Sequence, residues 1–123
     1  MSDMITFIKP DFSFADDRGF LHQLCKDGWK QVNVSQTKQG VKRGGHYHKQ
    51  TKEAFFIIDG AVNLQLSKGE KKESISVKSG DFFYFSPYVV HSSDFLKDTT
   101  MVALYDKPVE LPDGSKDIFA TED

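Results

Sequence analysis

The stretch GVKRGGHYHKQTKEAFFIIDG, residues 40–60, sets His46 and His48 one residue apart behind a double glycine and ends in a run of apolar residues. Side chains two apart on a β-strand point the same way, so His46 and His48 share a face. On the strand that follows, Glu53, Phe55 and Ile57 form one face and Ala54, Phe56 and Ile58 the other. Arg43 lies three residues before His46, on the opposite face of a regular strand. A bulge at Gly44-Gly45 would re-aim it, because glycine tolerates the backbone angles a bulge needs.

Outward from this stretch the same period of two recurs. Val62, Leu64 and Leu66 alternate with Asn63, Gln65 and Ser67, which predicts a strand with one buried face. The polar segment KGEKK reads as a hairpin returning through Ile75 and Val77, and Ser79-Gly80-Asp81 turns into FFYF, which Pro87 ends. MVALY, ending at Tyr105, is another core strand. The tail from Pro108 to Asp123 is rich in charge, proline and glycine, and is expected on the surface or against a partner subunit. Short apolar stretches between turn signals predict an all-β domain of about nine to twelve strands, a sandwich or barrel.

The 123 residues suffice for one domain, taken as 1–123, with a single core. Eleven Phe, four Tyr and one Trp suit a β-rich interior. A net charge of −2, from 16 basic and 18 acidic residues, offers no electrostatic footprint for nucleic acid or an anionic membrane. No apolar run approaches the roughly 20 residues of a membrane span, and the first residues lack the apolar region of a signal peptide. Cys25 stands alone, which excludes an intrachain disulfide framework and fits a reducing compartment, so the expected location is the cytoplasm. Cys25 itself reads as a small buried apolar residue.

The spacing Gly40-x5-His46-x-His48-x4-Glu53-x6-Gly60 resembles the first signature of the cupin superfamily. Gly80 through His91 is similar to the second, though it lacks the usual glycine two residues after its proline, Pro87 precedes His91 by four residues, and the trailing asparagine is absent. The resemblance implies a jelly-roll β-barrel whose mouth gathers His46, His48, Glu53 and His91. Such a set suits zinc, iron, manganese or nickel. The alternative leaves both histidines as polar residues on a half-exposed strand and Glu53 as a solvated charge.

A narrower resemblance covers Phe14 to Tyr105. Asp16, Arg18 and Gly19, then Asn33 and Ser35, then Gly40, Val41, Arg43, Gly44, His46 and Tyr47 follow the pattern of the dTDP-4-dehydrorhamnose 3,5-epimerases. Arg43, Gly44, His46, His48 and Lys49 are similar to the motif of the dTDP-sugar 3,4-ketoisomerases. The resemblance implies a nucleotide-linked 4-keto-6-deoxy sugar as substrate, in surface-polysaccharide biosynthesis. A 4-keto group acidifies the neighbouring C–H, so a base can draw off that proton through an enediol, and histidine has the appropriate pKa. His46 and His48 would handle protons, and Arg18 and Arg43 would grip the diphosphate, with Lys49 beside them. Arg18 could instead be a turn residue paired with Asp16 or Asp17. Tyr105 occupies the place of an acid tyrosine in the epimerases, or is a core aromatic. Phe82 to Phe85 could likewise offer rings to a nucleobase or fill the core.

Glu53 pulls the other way. The ketoisomerases and epimerases resembled work without metal and typically lack this glutamate, whereas zinc-carrying cupin domains attached to some sugar-nucleotide reductases share His-Tyr-His. A histidine bound to metal has committed the lone pair a base needs. Three functions follow: a metal-free sugar-nucleotide isomerase or epimerase, a metal-dependent cupin oxidoreductase of the dioxygenase kind, and a non-enzymatic sugar- or metal-binding module. Small cupins of this branch are usually homodimers that exchange N-terminal strands, and Ile5, Phe7, Ile8, Phe12 and Phe14 suit that exchange or the closure of the chain's own barrel.

Overall fold

The computed structural model describes residues 3–120, in which the apolar stretches become twelve β-strands and no helix. The first six are β1 (Ile5–Phe7), β2 (Phe12–Asp16), β3 (Gly19–Gln23), β4 (Gln31–Thr37), β5 (Lys42–Tyr47) and β6 (Glu53–Asp59). The others are β7 (Ala61–Lys68), β8 (Lys71–Lys78), β9 (Phe82–Phe85), β10 (Val90–Phe95), β11 (Thr99–Tyr105) and β12 (Phe119–Ala120).

From β4 onward the chain passes repeatedly between two antiparallel sheets, ordered β1-β9-β6-β11-β4 and β12-β5-β10-β7-β8. This is the jelly-roll sandwich that the resemblance implies. Ile57, Phe83 and Met101 of the first sheet meet Leu64, Leu66 and Phe95 of the second in the buried core. Alternation along β6 explains why its sheet is covered twice: Ile57 faces the core, whereas Ala54 and Phe56 face outward onto a second cluster with Leu24, Cys25 and Trp29. Burial there raises the Cys25 thiol pKa, in keeping with a small packing residue. Phe82, Phe83 and Phe85 are all buried, so they are core and not a nucleobase platform. Among the described residues no helix is long and apolar enough to cross a membrane.

The glycine pair forms the bulge that re-aims Arg43. His46 pairs with His91 and Gly44 with Ser92, which leaves Gly45 as the extra residue on β5. Gly44 and Gly45 have φ of 111° and 79°, angles open to glycine and strained for other residues. With one residue bulged out, Arg43 opposes Ser93 and His46 opposes His91, and both face the space between the sheets.

One expectation needs correction at the end of the chain. The tail does not simply lie on the surface: Glu110 bridges to Lys116, β12 adds to the edge of β5, and Asp117 is only 2 % exposed. Residues 121–123 of that tail lie outside the described residues. At the other end, Ile5 is buried and β1 pairs with the chain's own β9, so this strand closes its own sandwich. Phe12 and Phe14 instead belong to the separate β2–β3 hairpin and are exposed.

A Cβ on Gly44 would stand 2.6 Å from the His91 carbonyl oxygen and from Ser92 Cα. Gly44→Ala is therefore expected to cost about 1–3 kcal/mol through backbone strain alone, with more from that close approach. Chemical denaturation should show a lower midpoint.

Candidate active site

At the end of the sandwich where β5, β6, β10 and β11 converge, their inward side chains change from apolar to polar. Glu53 begins the β6 face that Ile57 continues into the core, and His91 begins the β10 face that ends in Phe95. Together with His46, His48 and Tyr105 they line a cavity of about 460 Å³, within the usual range for small-molecule sites. Asn33 and Ser35 line it from β4, and Arg43 from β5.

The polar atoms at its base are in contact. Glu53 Oε1 lies 2.9 Å from His48 Nε2 and 3.5 Å from His91 Nε2. His91 Nε2 lies 3.1 Å from His46 Nε2, and the His91 ring stacks on Phe85. One ligand atom from each of His46, His48, Glu53 and His91 can be chosen so that all four lie within 4.8 Å of one another. Two donors each about 2.2 Å from one ion can be at most roughly 4.4 Å apart, so small side-chain movements would let all four share a metal.

Their environments push the charges apart. Burial, then repulsion from His91, brings the His46 pKa down to about 4, so at neutral pH it is an uncharged base. Burial opposes the charge on His48 too, but hydrogen bonds with Glu53 and the Asp117 carbonyl outweigh it and hold this pKa above its ordinary value. Glu53 is likewise disfavoured by burial, yet its bonds with His48 and His91 bring it down to about 2. With an acceptor at each of its ring nitrogens, His48 is held as a double donor to Glu53 and the Asp117 carbonyl, a buried ion pair beside a neutral imidazole. Burial, reinforced by the neighbouring Glu53 charge, raises the Tyr105 hydroxyl pKa, so the phenol keeps its proton.

Two predicted site residues fall elsewhere. Arg18 sits at the tip of the β2–β3 hairpin, where its Nε donates to Asp16 at 2.9 Å and its side chain is 82 % exposed, the turn-residue alternative. Lys49 follows the histidine strand away from the cavity and places its ammonium 4.3 Å from the centre of the Phe119 ring. Arg43 does line the cavity, with Nε donating to Thr37 Oγ1 at 3.0 Å.

The sequence reading missed the contribution of the tail, whose Val109, Lys116 and Ile118 complete the cavity wall. The apolar pair Ile118-Phe119 was the available signal, but a two-residue strand is too short for periodicity to reveal. Neither Arg43 nor Lys116 pairs with a carboxylate among the described residues, so both cations are available to an anion in the cavity.

Residues 14–100 match the family described as polysaccharide biosynthesis C-terminal domain. A comparison with curated protein sequences gave no match. Among solved structures, the chain is similar to a sugar 3,4-ketoisomerase from Thermoanaerobacterium thermosaccharolyticum in complex with TDP, at 18% identity and a TM-score of 0.80 over 98% of this chain and 90% of that one. It is similar to a TDP-quinovose 3,4-ketoisomerase from Campylobacter jejuni, at 16% identity and a TM-score of 0.78 over 94% of each chain. A dTDP-4-dehydrorhamnose 3,5-epimerase from Sulfolobus tokodaii gives 21% identity and a TM-score of 0.68, over 85% of this chain and 71% of that one. These likenesses establish the cupin jelly-roll fold expected from the two signatures.

The low His46 pKa has a measurable sign. Between the ordinary value of 6.5 and about 4, the unfolded chain takes up a proton at His46 that the folded protein refuses. This group therefore costs the fold stability as pH falls through that window. In chelator-treated protein, the His46 ring should titrate near pH 4 by NMR, and His46→Gln should flatten the loss of stability on acidification.

Proposed function

Because the chain belongs to the polysaccharide biosynthesis C-terminal domain family, we propose that it is an isomerase or epimerase of a nucleotide-linked 4-keto-6-deoxy sugar, with TDP as the nucleotide. The observation that carries this reading is the neutral His46 beside the charged His48–Glu53 pair, in a cavity lined by Arg43 and Lys116. One group there can take a proton and another can give one, the division of labour that separated pKa values provide.

In this reading, His46 Nε2 removes the hydrogen next to the sugar ketone. Electrons move onto the ketone oxygen to form an enediolate. For isomerisation the proton of the neighbouring hydroxyl passes to that oxygen and the Nε2–H of His48 protonates the former ketone carbon; for epimerisation it returns a proton to the same carbon on the other face. Tyr105, still protonated, donates a hydrogen bond to the developing oxyanion. Arg43 and Lys116 hold the diphosphate, with the guanidinium fork of Arg43 matching phosphate oxygens.

The ligand set supports a second reading. His46, His48, Glu53 and His91 would hold a divalent ion, zinc by preference of its nitrogen and oxygen donors, and the ion would supply Lewis-acid stabilisation of the enediolate oxygen. His46 cannot give one lone pair both to a metal and to a proton, so the two readings are exclusive at that nitrogen.

The reading includes a homodimer in the cytoplasm. Its support is the unpartnered apolar surface of the hairpin and β4, where Phe20 is 70% and Val34 69% exposed. Burying such rings and branched chains against a second copy is worth about 1.5–3 kcal/mol for each side chain. Arg18, at the hairpin tip, would enter a substrate site only through that second copy.

His46→Asn should lower turnover of a TDP-4-keto-6-deoxy sugar by about 10²–10⁴-fold, the usual worth of a positioned acid or base. Chelator-stripped wild-type protein should keep its activity. Activity that returns only with added metal would transfer the site to the second reading.

Arg43→Ala should weaken TDP itself by about tenfold to a hundredfold, the loss of one charge-assisted contact. Arg43→Lys should recover part of the affinity, because it restores charge without the fork. Calorimetry measures both, and a wild-type protein that binds no nucleoside diphosphate would overturn the sugar-nucleotide reading.

A further inference from the structure

Asp117 is buried to 2% exposure and belongs to the tail, away from the four candidate ligands in sequence. Its Oδ1 accepts the backbone N–H of Lys49 at 3.0 Å, and its Oδ2 accepts those of Gln50 and Thr51 at 2.9 and 2.7 Å. The backbone carbonyl of the same residue lies 2.6 Å from His48 Nδ1. A carbonyl can only accept, so Nδ1 carries the hydrogen and the ring is held from its outer side. Its other nitrogen, Nε2, is thereby aimed at Glu53, 2.9 Å away.

This grip depends on the tail being seated. The Asp117 N–H donates to the Val109 carbonyl at 2.8 Å, and immediately beyond Asp117 the chain pairs Phe119 with Tyr47 and Ala120 with His46. The turn after His48 offers three backbone donors, and the Asp117 carboxylate takes all three. Seating the carboxylate places the carbonyl, and the carbonyl places the imidazole.

We propose that Asp117 is a positioning residue for His48: its carboxylate locks the 49–51 turn, and its carbonyl fixes the ring so that Nε2 faces the cavity. Its consequence for turnover rests on the proton-transfer reading above, whereas its consequence for the His48 ring does not.

The test uses the full-length, chelator-treated protein and nitrogen–proton NMR of the imidazoles. In the wild type, His48 should show a protonated Nδ1 whose hydrogen exchanges slowly with water. Asp117→Ala should speed that exchange by about tenfold or more, the worth of one hydrogen bond, and leave the His46 ring signals in place. Asp117→Asn, which keeps the shape and one acceptor oxygen, should fall between the two and supplies the test if the alanine variant does not fold. Wild-type exchange at His48 in a folded variant would overturn the proposal, because a merely structural anchor lowers the melting temperature without releasing the ring.

With a 4-keto sugar nucleotide, kcat should fall in the variants by a larger factor than TDP affinity, which the neighbouring Lys116 can lower on its own account. Unchanged kcat with a released ring would overturn the positioning role in the reaction. No turnover by the wild type would overturn the proton-transfer reading, and the NMR result would still decide what holds His48.

Discussion

A carboxylate buried to 5% exposure is the constraint around which this site is organised. Removing Glu53 from water costs several kcal/mol unless a nearby charge and hydrogen bonds compensate. His48 supplies both, and once charged it must donate from both ring nitrogens. One donates to Glu53, and the other needs an acceptor on the far side of the ring, which the Asp117 carbonyl provides. The requirement passes from a strand to a histidine and from the histidine to the tail. Among the described residues His46, half-buried beside His91, has no such partner, and it stays neutral.

The precision of the arrangement comes from strands that serve two purposes. One face of β6 carries Glu53 at the cavity and Ile57 in the core, and β11 likewise carries Tyr105 and Met101. Close packing at the apolar end fixes the backbone that aims the polar end. The bulge at Gly45 adds the last adjustment, because without it Arg43 would point to the opposite face from His46. Arg43 and His46 can thus line one cavity from a single strand.

Metal-free proton transfer and metal binding place competing demands on one lone pair. Burial that lowers the His46 pKa leaves one ring nitrogen with a free lone pair at neutral pH, which serves a base and a metal ligand equally. The His48–Glu53 ion pair is more selective. It suits proton delivery as it stands, whereas metal binding requires His48 to release the proton on Nε2. The Nδ1–H bond to Asp117 persists in either case, since it lies on the side of the ring away from the cavity.

Residues 40–60 determined much on their own. Strand alternation is a local property, so the shared face of His46 and His48 and the division of β6 into two faces follow from a period of two. The double glycine announced its bulge because few other residues adopt those angles. The cupin spacing brought in His91, from a strand that meets β5 only in the folded sheet. What the pattern could not supply was anything set by the path of an irregular segment. Arg18 belongs to a hairpin that closes on itself and leaves the cavity of this chain, and Lys49 lies just past the strand end, where alternation stops. Asp117 looked like one more surface charge in a polar tail. Only the tertiary structure brings three backbone donors to its carboxylate, and that local supply of hydrogen bonds makes its burial affordable.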